Sequence, residues 1–167
     1  MSLNTFPNAS ISPLCAAMAL PQLLTPQLTD LIWTAGFLDG EGCIHLSKQQ
    51  LVGRKNPTYR VHVSVNQNHR ESLVRVAKAL QVPDRIYVVK RRAKMNRDVY
   101  SLDICDQDAH RALVSLLPYL HRKRPEAEVA IAAYVEGEMN VHPGPKGHAP
   151  EIWTIRERHY RKLQRLK

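Results

Sequence analysis

The nine residues Thr34–Gly42, TAGFLDGEG, constrain this chain more than any other stretch, because they close an apolar run with three glycines and two acids. The run opens at TPQLTDLIW, where Thr25-Pro26 or Thr29-Asp30 supplies a helix start. Leu28, Leu31, Ile32, Ala35, Phe37 and Leu38 then follow near a helical period, so a helix to about Gly40 is expected. Gly36 and Gly40 share one face of that helix, where the missing side chains let another backbone come close. Asp39 and Glu41 put negative charge at the end whose carbonyls already point outward, the unfavourable end of the helix dipole. A hard divalent cation held by carboxylate and carbonyl oxygens would compensate. An ordinary glycine-terminated helix with solvated acids has the same spacing, so spacing alone leaves both readings open.

The chain has 167 residues, enough for one domain with a proper core, and carries a formal net charge of +9 with a pI near 9.7. Residues 1–29 contain no Lys, Arg, Asp or Glu, so that charge resides entirely in 30–167. Such an excess makes a polyanion the leading partner, nucleic acid ahead of a membrane surface. No apolar run approaches the ~20 residues that span a bilayer, which argues against a membrane partner. Cys15, Cys43 and Cys105 are odd in number and form no CxxC pair, so neither a disulfide framework nor a zinc knuckle is indicated. A reducing intracellular compartment fits, with no choice among organelle, nucleus and bacterial or phage-host cytoplasm. The eight histidines fall in no HExxH or Cys/His ligand spacing.

After the first helix, CIHLSKQQ alternates, with Ile44 and Leu46 on one face and Cys43, His45, Ser47 and Gln49 on the other. YRVHVSVNQ is the clearest strand, with Val61, Val63 and Val65 inward and Arg60, His62, Ser64 and Asn66 outward. RESLVRVAKALQV reads as an amphipathic helix ending before Pro83. RIYVVKRR and DVYSLDICD form a second strand pair around AKMNR. Helices over 107–117 and 125–138 follow, separated by Pro118 and the basic HRKRP. After the breaker-rich PGPKGHAP, IWTIRERHYRKLQRLK closes the chain as a basic helix.

The expected fold class is α+β: an αββαββα core with a curved four-stranded antiparallel sheet, helices on one face and the other face open. Residues 1–25 are expected to form a disordered or surface-draped extension, 26–138 the main domain, and 139–167 a loop and basic C-terminal helix. The open face would present His45, Ser47, Gln49, Arg60, His62, Ser64, Asn66, Tyr87, Val89, Arg91 and Ser101. A polar ribbon of this kind suits the major groove of B-DNA, where each base pair shows a distinct pattern of donors and acceptors.

TAGFLDGEG resembles the signature of the LAGLIDADG homing endonucleases, with Thr34 in place of the first Leu and Glu41 in place of the second Asp. The resemblance runs from about Leu28 to Val135, through the helix and strand-pair order and the later LPYLHRK segment, and is to the single-motif, homodimeric branch. It implies an intron-encoded, metal-dependent DNA endonuclease that hydrolyses phosphodiester bonds in a long, roughly palindromic double-stranded site. In that family two signature helices pack together and bring their terminal acids to a shared metal beneath the DNA. The glycines Gly36 and Gly40, with Asp39, then fall at the dimer interface. Glu41 and the Gly42 backbone become metal ligands, for Mg²⁺ or Mn²⁺, with Ca²⁺ binding without supporting cleavage. Asp39 matches the first acid of the motif, more often structural than a ligand, and so ranks second.

Gln67 matches a polar residue that organises the attacking water, and Lys123 a basic residue near the active-site solvent and phosphate. The next basic residue of the pattern is missing, because Glu71 stands there; Arg70 beside it is the substitute and a further DNA-binding candidate. Two other functions stay open on the same scaffold: an RNA-binding maturase that assists splicing of its intron RNA, and a DNA-binding regulator that has lost catalysis.

Overall fold

The computed structural model describes residues 25–53, 55–89, 98–143 and 147–167. The expected N-terminal extension lies, apart from Thr25, outside the described residues. Helix α1 spans Pro26–Glu41. Of its two candidate starts the structure uses the first: the Thr25 hydroxyl accepts a hydrogen bond from the Leu28 amide at 3.2 Å, and Pro26 takes the first turn, where no amide hydrogen is needed. Such a cap contributes about 1 kcal/mol. The helix stops at Gly42, which is extended and donates its amide to the Leu38 carbonyl. A Cβ at Gly42 would lie 2.1 Å from Leu38 Cδ1 and 2.7 Å from the Leu38 carbonyl oxygen, so only glycine permits the sharp passage from helix to strand.

Strand β1 (Gly42–Gln49) pairs antiparallel with β2 (Thr58–Gln67). Helix α2 (Arg70–Ala79) leads to β3 (Ile86–Val88) and β4 (Tyr100–Cys105), and α3 (Asp106–Leu116), α4 (Arg124–Glu136) and α5 (Pro150–Arg165) complete the chain. The sheet order is β1-β2-β4-β3, antiparallel throughout, so the two hairpins join through β2 and β4. The alternation read from the sequence holds. Ile44, Leu46, Val61, Val63, Val65, Leu102 and Ile104 are buried beneath the helices, while the intervening polar residues occupy the opposite face. Ala35 and Leu38 of α1, Leu73 and Val76 of α2, Leu113 and Leu116 of α3 and Ala130 and Ala133 of α4 fill the same core. Thr34, where the signature has Leu, is buried there with its hydroxyl unpartnered, a cost an aliphatic side chain would avoid. Among the described residues no helix is long and apolar enough to cross a membrane.

Helix ends differ from the sequence reading for identifiable reasons. α4 closes at Glu136 rather than 138, because Glu138 turns left-handed (φ 46°) and the Met139 amide reaches back to the Tyr134 carbonyl at 3.0 Å. α2 ends the same way, with Gln81 left-handed (φ 53°) and the Val82 amide on the Ala77 carbonyl. β3 covers only Ile86–Val88, although the Val89 amide still bonds the Val99 carbonyl at 2.8 Å.

The C-terminal helix α5 packs on α4 and β1 and adds Leu163 to the core. Its polar anchor is Glu157, which accepts hydrogen bonds from Lys48 Nζ (2.8 Å) and the Tyr59 hydroxyl (2.5 Å). The Lys48 bond, followed by the Tyr59 bond, holds the Glu157 carboxyl down to about 2. A carboxyl depressed on folding stabilises above its ordinary pKa and loses that contribution as pH falls through the folded value. The denaturation midpoint should therefore drop between about pH 4.5 and 2, by an equivalent of about 1–2 kcal/mol, and Glu157→Gln should flatten that part of the profile. Equal acid sensitivity of the two proteins in guanidinium titrations would show that the anchor contributes nothing.

Candidate active site and nucleic-acid face

The two acids at the end of α1 have different surroundings. The Asp39 carboxylate turns into its own chain and accepts the backbone amides of His121 (2.8 Å) and Lys123 (2.9 Å). The Asp39 carbonyl accepts Lys123 Nζ at 2.7 Å and Arg122 Nε at 3.1 Å. The basic HRKRP segment is thus folded onto the helix C-terminus, where cations meet unpaired carbonyls. Partial burial pushes the Asp39 carboxyl up, but the amides of His121, Lys123 and Arg122, with the Lys123 charge, outweigh it and leave it lowered. Lys123 is itself only 4% exposed; burial first, then the Arg122 charge, pushes its ammonium down against the pull of Asp39.

Asp39, which the resemblance places at a dimer interface and reads as more structural than ligating, engages its carboxylate within its own chain. Asp39→Ala should cost about 2 kcal/mol of stability, because two amides lose a charged acceptor, and should free Lys123 from its position. A denaturation midpoint equal to wild type would contradict this capping role.

Glu41, by contrast, is exposed and makes no hydrogen bond or ion pair with the described residues. Gly42 pairs with Val65, so β2 runs two residues beyond that pair and carries Gln67 past the end of α1. The Gln67 Oε1 accepts the Asn68 amide at 2.8 Å. The end of α1 therefore gathers Glu41, the Gly42 backbone, Lys123 and, through the strand register, Gln67 on one side of the domain. Arg70 is exposed at the start of α2 and unpaired among the described residues, whereas Glu71 pairs with His69 at 3.4 Å. No group of three or more His, Cys, Asp or Glu side chains is poised to hold a metal among the described residues.

Gly36 and Gly40 complete this end of the helix. A Cβ built at either position meets nothing within 4 Å among the described residues. Ile32, one turn before Gly36, is exposed, and Trp33 and Phe37 stack with ring centroids 5.0 Å apart.

The open sheet face carries His45, Ser47 and Gln49 from β1, Arg60, His62, Ser64 and Asn66 from β2, and Ser101, Asp103 and Cys105 from β4. Tyr87 joins in register with Ser101, and Val89 lies just beyond β3. Arg91 lies outside the described residues, as do Lys90, Arg92 and Lys94. Several groups are already engaged. Ser101 is only 4% exposed and is not presented at the surface. Arg60 donates Nε to Asp106 Oδ2 at 2.8 Å. Lys48, on the opposite parity, is tied to α5. Asp103 escaped the sequence reading, although its outward place in the DVYSLDICD alternation was a usable signal; it lies 3.2 Å from His62 Nδ1.

No sequence-family model and no curated protein sequence matches the chain. Solved structures do. The homing endonuclease I-CvuI, in complex with a target DNA in the presence of 2 mM Mg, aligns with a TM-score of 0.62 over 84% of this chain and 83% of its own, at 23% identity. An archaeal intron-encoded homing endonuclease complexed with DNA aligns at 0.64 over 83% of this chain and 84% of its own, at 15% identity. The chain has the LAGLIDADG homing-endonuclease fold. The LAGLIDADG homing endonuclease I-GzeII, in complex with its DNA target, aligns at 0.57 over 80% of this chain but only 43% of its own length, at 11% identity. The alignment thus takes in most of this chain and less than half of that longer one.

Proposed function

We propose that the chain is one subunit of a homodimeric, divalent-metal-dependent endonuclease that cuts both strands of a long, roughly palindromic DNA site. The observation that carries this reading is the end of α1: an exposed Glu41, unpaired among the described residues, beside a glycine face that none of the described residues covers. No described residue packs at Gly36 or Gly40, which leaves their small face for a partner, and a twofold packing of α1 against α1 would bring two Glu41 carboxylates together. One carboxylate per chain is too few for a metal; two, with the Gly42 carbonyls and substrate phosphates, form the hard oxygen set that Mg²⁺ or Mn²⁺ takes. When bound, such an ion polarises the attacking water and neutralises charge at the scissile phosphate.

The remaining work belongs to the chain. Glu41 holds the cation, and Lys123, fixed by Asp39, sets a positive charge beside the phosphate. Gln67 orients water, and the open sheet face lies along the major groove. The structures of I-CvuI with Mg and with Ca, both bound to target DNA, support divalent-metal use on this fold.

Incubation of the purified protein with a plasmid library tests the proposal. Mg²⁺ should give linear products with 5′ phosphate and 3′ hydroxyl ends, and Ca²⁺ binding without cutting. Specific DNA binding with no cutting in Mg²⁺ or Mn²⁺ would leave a regulator, and tighter binding to intron RNA than to any duplex would leave a maturase.

A further inference from the structure

Three polar side chains from three strands form one chain of hydrogen bonds across the open face. His62 on β2 sits opposite His45 on one side and Cys105 on the other. Ser47, opposite Arg60, and Asp103, opposite Ser64, are therefore its diagonal neighbours in opposite directions. Ser47 Oγ lies 3.1 Å from His62 Nε2, and His62 Nδ1 lies 3.2 and 3.3 Å from the two Asp103 oxygens. The His62 side chain is 14% exposed and Asp103 34%. His45 stacks on the His62 ring with centroids 4.9 Å apart and 8° between planes.

With a neutral His62 ring, this geometry assigns every proton. A carboxylate offers only lone pairs, so the ring nitrogen facing Asp103 carries the hydrogen. A neutral imidazole has one N–H, so Nε2 is bare and accepts the Ser47 hydroxyl proton. Burial first, then the neighbouring His62 and Lys167, pushes the His45 ring below its ordinary value. Ser47 has spent its only proton inside the protein, and its outward lone pairs can do nothing but accept.

We propose that Asp103 is a positioning residue for base choice: through His62 it makes Ser47 an acceptor-only reader that selects adenine or cytosine on the strand it faces. The inference rests on the reading of this face as the major-groove surface. There adenine N6 and cytosine N4 are donors, whereas thymine O4 and guanine O6 and N7 are acceptors that would set lone pair against lone pair. Neither Ser47 nor His62 has this direction built in; the carboxylate two strands away from Ser47 imposes it.

Selection of bound duplexes from a randomised library in Ca²⁺, with ¹⁵N spectra of the His62 ring, tests it. Wild type should show one position per half-site enriched about tenfold in A or C over G or T, and the Nδ1–H tautomer of His62. Asp103→Ala should lower that enrichment below about twofold while other positions keep theirs, and shift His62 toward Nε2–H. Ser47→Ala should erase the same position alone, an arm that does not depend on Asp103 variants folding. A wild-type Nε2–H tautomer, a preference for G or T, or a profile unchanged by Asp103→Ala overturns the proposal alone. Failure of every protein to enrich any duplex overturns the DNA reading and this inference with it.

Discussion

Glu41→Gln should lower Mg²⁺-dependent cleavage by on the order of a thousandfold while leaving DNA binding intact. The amide keeps the shape of the side chain, and Glu41 has no partner among the described residues to lose, so the subunit should fold as before. What disappears is negative charge at a helix end where the carbonyls are already negative. In the proposed homodimer the effect would be doubled by symmetry, because one substitution removes both carboxylates from the shared site. Affinity without metal should hold or rise, since two like charges no longer face the phosphates. Cleavage assays and mobility shifts on the same site separate the two outcomes; full cutting by the variant would remove Glu41 from the chemistry.

Gly40→Val should break the dimer and spare the subunit. A Cβ at Gly40 meets no atom of the described residues within 4 Å, and valine in a helix is slightly more favourable than glycine, so the isolated subunit should be as stable as wild type or more so. Across a twofold axis, however, the two added side chains meet each other's helix and hold the backbones apart. Overpacking of this kind costs about 1–3 kcal/mol, which would weaken the dimer by roughly fivefold to somewhat over a hundredfold. Both Glu41 carboxylates move with the helices, and catalytic sites lose activity over displacements of about 1 Å. Gly36→Val should act in the same direction. Sedimentation decides it: a dimer indistinguishable from wild type would show that this glycine face serves something else.

The features legible in the sequence are those set by near neighbours. The alternation in CIHLSKQQ and YRVHVSVNQ gave the pleat and hence the open face, and TAGFLDGEG marked the helix end from local chemistry alone. The features that were not legible join residues far apart in the chain. Asp39 receives the amides of residues 121 and 123, Glu157 reaches back to Lys48 and Tyr59, and Asp103 meets His62 across the β2–β4 pairing. None of these follows from periodicity, because each depends on which elements the core brings side by side. Ser101 shows the same limit: parity placed it on the outward face, but parity does not say how deeply its neighbours cover it. The helix ends at Gln81 and Glu138 were obscured because both closures use left-handed residues other than glycine.

The central claim is that two copies of this chain, joined through α1, cut DNA at one shared site. Sequencing both ends of every product cut from a randomised duplex library in Mg²⁺ tests it most directly. The expected products come from a single family of long sites with twofold symmetry, both strands broken at positions related by that symmetry, and none form with Glu41→Gln. Asymmetric sites, nicks confined to one strand, or cutting that survives loss of the Glu41 charge would contradict it.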